Sequence, residues 1–275
     1  MGNKRCRWVL VLALILAILL NAFVIYLSER GNPIARYKVN KIIVDYVDEL
    51  YGQEHFKVTE IKYNYGEYIV HLVSTSNRFK QFSAIITDGA DYKIVKDEYK
   101  ENPKRINNNA EAARLINEDL EDIFKNKIVQ LDRLDIYIFG ETEKYDDVQV
   151  LVKDIKTKTD VFAQINVIIK GKNIAERAFV QKILDVKSDS SIMEYSQNSM
   201  FLFYYYPKYV VTELDGNNIL SYPYYSVGPI KNSNNWTIEE LLDDSTNWKW
   251  TTRYLPSAIL IISVIVVYTL YRKKY

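Results

Sequence analysis

Two stretches of the chain, residues 8–27 and 255–271, carry no charge, and the sequence between them alternates apolar and polar positions at helical and strand spacings. Twenty helical residues at ~1.5 Å each cover about 30 Å, the thickness of a bilayer's hydrocarbon core. The first run therefore reads as an uncleaved signal anchor, since bulky Phe23, Val24, Ile25, Tyr26 and Leu27 follow Ala22 where a cleavage site would need small residues. The second run reads as another transmembrane helix, edged by Trp248, Trp250 and Tyr254 before it and by Tyr268 and Tyr271 at its far end. Lys4, Arg5 and Arg7 flank one run and Arg272, Lys273 and Lys274 the other, each on the outer side. Basic flanks stay in the cytoplasm, so the pattern predicts a cell-membrane protein with both termini cytoplasmic and the middle extracellular.

Within the middle, Asn32-Pro33 signals a helix start, because Asn accepts from unpartnered amides and proline needs no donor there. Val39, Ile42, Ile43, Tyr46, Val47 and Leu50 then keep to one face of a 3.6-residue period that closes near Tyr51-Gly52. Strands are predicted over 56–63, 68–73 and 79–87, with a short one near 92–95. The polar stretch 96–109 reads as a domain boundary. A second helix is expected from Asn108 and Glu111 as a capping box, with Ala113, Ile116, Leu120, Ile123 and Phe124 as its stripe. Strands over 129–139, 148–155 and 161–169 follow. Next come a helix from Asn173 to about Val186, a short helix from Ser191 with Glu194, and an aromatic strand over 200–211. The fold class is α+β: two tandem small helix-on-antiparallel-sheet domains between an N-terminal and a C-terminal transmembrane helix. The boundaries are 1–29 for the tip and anchor, 30–100 and 101–247 for the two domains, and 248–275 for the interfacial segment, second span and basic tail.

Gly31-Asn32-Pro33-Ile34 after an anchor helix, an amphipathic helix closing on Tyr51, Tyr63-Asn64 before a hairpin turn, Tyr68 and Phe82-Ser83 together carry a family likeness. Over residues 30–90 or so the chain resembles the YfjL-like family of bacterial membrane proteins. The resemblance implies a small, broadly cystatin-like helix-on-sheet domain, and it implies no activity and no functional residues.

Composition narrows the function. A hydrophobic share of 48% and a charged share of 26% suit a globular chain. The net charge of +1 includes the six flanking cations, so the middle is acidic and carries no footprint for nucleic acid. Cys6 is the only cysteine, which excludes an internal disulfide.

Of the two histidines, His55 falls in a loop and His71 in a strand, on the face of Ile69 and Val73. No serine lies in a nucleophile elbow, no His/Cys/Asp spacing suits a metal, and the nine glycines are never clustered into a phosphate cradle. Asp146-Asp147 and Asp243-Asp244 read as solvated ends, and Glu118 with Glu121 falls off the apolar stripe.

The expectation is a non-enzyme with no catalytic, cofactor-binding or metal residues: a membrane-anchored extracellular binding module. Its partners would be the lipid bilayer, through two helices, and an envelope protein or a second copy. An envelope hydrolase built from scattered carboxylates or His71 is one alternative. A membrane-complex subunit using Asn21 against a partner helix is another. The candidate interface is Phe203, Tyr204, Tyr205 and Tyr206, because a strand with bulky groups on both faces needs cover on both, from within the chain or from a partner.

Overall fold

The computed structural model describes residues 32–64, 66–89, 91–128, 130–171, 175–187, 189–207, 225–230, 241 and 246–247. The chain divides into two compact units, Met1–Ile106 and Asn107–Tyr275.

The first unit opens with helix α1 (Pro33–Tyr51), capped by Asn32, whose side-chain oxygen accepts the Ile34 N–H at 2.9 Å. Ala35, Val39, Ile43 and Val47 recur every four residues and form its buried stripe. Four strands follow, β1 (Phe56–Asn64), β2 (Glu67–Ser74), β3 (Gln81–Thr87) and β4 (Ile94–Asp97), paired antiparallel in chain order. Side chains alternate along each strand, so Tyr68, Val70 and Leu72 of β2 and Phe82, Ala84 and Ile86 of β3 share the face that meets the α1 stripe. A fully buried side chain of this size contributes roughly 1.5–3 kcal/mol. The stripe, more than helix propensity, is what holds α1 in place.

The second unit contains most of α3 (Pro103–Lys127), which follows the short α2 (Glu98–Glu101). Then come β5 (Leu131–Phe139), a 3₁₀ turn, α4 (Val148–Thr157), β6 (Phe162–Gly171), α5 (Glu176–Lys187), α6 (Ser190–Ser196), β7 (Met200–Pro207), β8 (Tyr225–Ile230) and β9 (Thr246–Asn247). The sheet order is β5-β6-β7-β8-β9. Its inner face carries cross-strand rows such as Leu134, Val167 and Phe203, or Ile136, Ile165 and Phe201, all buried. Phe124 of α3 meets Phe201 and Phe203 at ring-centre distances of 6.3 and 6.2 Å, and Phe179 of α5 meets Tyr205 at 5.9 Å. Both helices therefore cover this one face.

Several expectations are corrected. The fold is α+β with two open sheets, but among the described residues no helix is long and apolar enough to cross a membrane. The two longest helices among the described residues are amphipathic: α1 carries Arg36, Lys38, Lys41 and Asp45, and α3 carries Glu111, Arg114, Glu118 and Asp119. The segments expected to span, 8–27 and 255–271, lie outside the described residues, as do Cys6, Asn21 and both basic clusters. The second sheet is mixed, not antiparallel, because α5 and α6 connect β6 to β7 and so allow the two strands to run parallel.

Residues 148–155 form a helix, not a strand. Asp147 accepts the Gln149 N–H at 2.8 Å, and Val148, Leu151, Val152 and Ile155 stand at helical spacing. The stretch 96–109 is largely helical too. Asp97 caps α2, and the Asn102 side chain accepts the Arg105 N–H at 3.0 Å to open α3 at Pro103. Asn108 is thereby mid-helix, donating to the carbonyls of Thr142 and Tyr145 at 2.7 and 2.9 Å.

Candidate functional site

Three helices of the second unit enclose a groove of about 520 Å³, lined by Asp119 of α3, by Gln149, Val152, Lys153, Lys156 and Thr157 of α4, and by Glu194 and Gln197 at the end of α6. Gln149, Val152, Lys153 and Lys156 stand at i, i+3, i+4 and i+7, so folding α4 as a helix brings them onto one stripe. Tyr195 is fully buried, and its phenol donates to the Asp119 carboxylate at 2.8 Å. Burial, reinforced by that bond, pushes the phenol well above its ordinary range, so it stays a neutral donor. The Lys156 ammonium lies 4.4 Å from the centre of the Tyr195 ring. It also lies 3.6 Å from Asp119 Oδ2 and 3.2 Å from Glu194 Oε2. Lys156 thus lies within reach of two carboxylates and one aromatic ring.

A second convergence of polar groups crosses the outer face of the first sheet. Glu60, His71 and Ser83 are cross-strand neighbours in register on β1, β2 and β3. His71 Nδ1 is 2.9 Å from Ser83 Oγ, and its Nε2 is 3.9 Å from Glu60 Oε2. The order serine, histidine, carboxylate has the form of a catalytic triad. The surroundings do not. The Ser83 N–H, which a hydrolase would turn to a developing oxyanion, instead donates to Glu98 Oε2 at 3.0 Å. Lys62 on Glu60 at 2.9 Å and Lys96 on Glu98 at 3.8 Å complete a row of alternating charge. Burial, helped by Lys62 and opposed by Glu60 and Glu98, lowers the His71 pKa below the ordinary imidazole value.

The four aromatic residues expected at an interface divide between the faces of the second sheet. Phe203 and Tyr205 point inward and are fully buried against α3 and α5. Tyr204 and Tyr206 alternate to the outer face. Tyr204 is half-buried and Tyr206 buried, and burial raises both phenols, that of Tyr206 to about 12. His55 and His71 lie apart from these tyrosines in sequence and belong to the other unit.

The groove itself escaped sequence reasoning. Read as a strand, 148–155 puts Gln149 and Val152 on opposite faces, which dissolves the stripe. The Asp147 cap was the signal that was available. No signal in the sequence pairs Asp119 with Lys156 and Glu194.

Among the described residues no helix is long and apolar enough to cross a membrane, so contact with a bilayer through two helices, an extracellular placement with cytoplasmic termini, and a role as a membrane-anchored module or membrane-complex subunit find no support there.

No curated protein matches the chain. A solved structure that resembles it is the crystal structure of a DUF5037 family protein from Ruminococcus gnavus ATCC 29149, at 14% identity over 75% of this chain and 88% of that one. The TM-score is 0.34, too low to carry a fold across. Residues 4–108 match the family model described as "YfjL-like, N-terminal domain". The family likeness seen in the sequence is therefore shown, and it is restricted to residues 4–108.

Proposed function

We propose that this protein binds a small polar ligand in the groove between α3, α4 and α6 and does not transform it. The observation that carries the reading is the fixed lysine in a polar-lined groove. Lys156 is held by two carboxylates and the Tyr195 ring, while Gln149, Lys153, Thr157 and Gln197 supply further polar groups around it. The volume of about 520 Å³ falls within the range of small-molecule sites, roughly 300–1,000 Å³.

Binding without chemistry is supported by what occupies the catalytic positions. A pair of carboxylates working on a bond must leave room for that bond between them. Here the Lys156 ammonium pairs with both Asp119 and Glu194, at 3.6 and 3.2 Å. At the His71 row the amide beside the serine faces a carboxylate.

A thermal-shift screen of the full chain against sugars, amino acids, nucleosides, carboxylates and phosphate esters tests this. Solutes that raise the melting temperature of the natural protein should fail to raise that of Gln149→Trp, which fills the groove from an exposed position on α4. Equal stabilisation of both proteins would place binding elsewhere.

A further inference from the structure

We infer that the groove is a seat for the carboxylate of a small organic anion, and that Glu194 occupies that seat in the free protein. The inference rests on the groove reading above and names its ligand class.

The two acids around Lys156 are held differently. Asp119 Oδ2 accepts the buried Tyr195 phenol at 2.8 Å as well as facing Lys156, so it is tied to a group that cannot move without opening the core. Glu194 has 59% of its side chain exposed, and the contact that holds it is Lys156 at 3.2 Å. An ion pair that open to solvent contributes little stability and exchanges readily. Glu194 is therefore the exchangeable carboxylate, and Asp119 is part of the frame.

Once Glu194 swings away, Lys156 has one site unfilled, directed into the groove. Lys153, one turn back on the same helix face and exposed, stands beside it with a second ammonium. The side-chain amides of Gln149 and Gln197 add neutral donors. Two cations against the one remaining carboxylate, Asp119, leave a net positive charge beside amide donors, which favours an anion over a cation or a neutral sugar. Glu194 shows the group that fits: a planar carboxylate meeting a point charge. A phosphate would more often draw on arginine forks or a row of backbone amides, and the groove lining has no arginine.

Calorimetric titration of the full chain with succinate, and in parallel with inorganic phosphate, tests the assignment. Glu194→Gln removes the internal competitor and should tighten succinate binding by up to about fivefold. Lys153→Gln should weaken it by about tenfold. Both positions are exposed, so melting curves of the variants should overlay that of the natural protein. Unchanged or weaker succinate binding in Glu194→Gln would overturn the inference, as would a preference for phosphate. A neutral solute bound in the groove, abolished by Gln149→Trp and indifferent to Lys153→Gln, would overturn the anion seat and leave the groove reading standing. Loss of all solute binding would remove both.

Discussion

The Tyr51 phenol donates to Asp97 Oδ2 at 2.7 Å, joining the last residue of α1 to the last residue of β4, 46 positions away. Tyr46 donates to the same oxygen at 3.0 Å, and Asp97 Oδ1 accepts the Tyr99 and Lys100 amides that open α2. One buried carboxylate thus fastens a helix, a strand and a cap. Tyr51, Phe56, Phe82 and Tyr99 pack around it mostly edge to face, with ring centres 5.0 to 6.3 Å apart.

Replacing Asp97 by Ala removes a cap and leaves two phenols and two amides without their acceptor. A cost of about 3 kcal/mol is expected, since an orphaned buried polar group alone costs about 1–3 kcal/mol. Urea unfolding of the first unit's signal measures it. Asp97→Asn, which keeps an acceptor oxygen for the cap, should cost less.

The same cluster predicts an alkaline limit. Burial and then Asp97 raise the Tyr46 phenol to about 12 and push Tyr51 higher still. A phenol whose folded pKa exceeds its unfolded value of 10.0 contributes stability that is complete below that value. That contribution fades as pH rises toward 12. Denaturant midpoints should fall from about pH 10 upward, and the fall should be smaller in Tyr51→Phe.

His71 sets an opposite dependence at acid pH. Its folded pKa lies below 6.5, so the fold prefers the neutral ring. The contribution of the neutral ring is present above the unfolded value and is lost as pH falls through the depressed one. Histidine NMR titration should find His71 below 6.5, and His71→Gln should lose less stability than the natural protein between pH 7 and 5. A titration above 6.5 would show that Glu60 and Glu98 outweigh burial and Lys62.

Much of the first unit was legible in the sequence, because its signals are local. Asn32 and Pro33 mark a helix start whatever surrounds them, and the strand alternation that places Tyr68, Val70 and Leu72 inward is visible in the residues themselves. The same cap-and-proline signature stands at Asn102-Pro103, but in a polar stretch read as a domain boundary its helix start went unread. In α4 the β-branched run Val148, Val150 and Val152 imitates a strand, and only Asp147 together with the spacing of Leu151 and Ile155 argues for a helix. The groove was illegible because its charges come from three helices and meet only through tertiary packing.

The alternation along β7 predicts unequal costs on its two faces. Phe203 is buried against Phe124, so Phe203→Ala should cost about 3–5 kcal/mol. Tyr204 is half-buried on the other face, and Tyr204→Ser should cost clearly less. Equal costs, read from denaturant unfolding, would mean that the outer face is as tightly packed as the inner one.

The claim that the groove is the binding site is tested most directly by mapping amide chemical shifts in the isotopically labelled full chain during a succinate titration. Saturable shifts should concentrate at Lys153, Lys156, Thr157, Glu194 and Gln197, with the His71 row of the first sheet unmoved. Shifts centred on Glu60, His71 and Ser83, or none at saturating succinate, would contradict it.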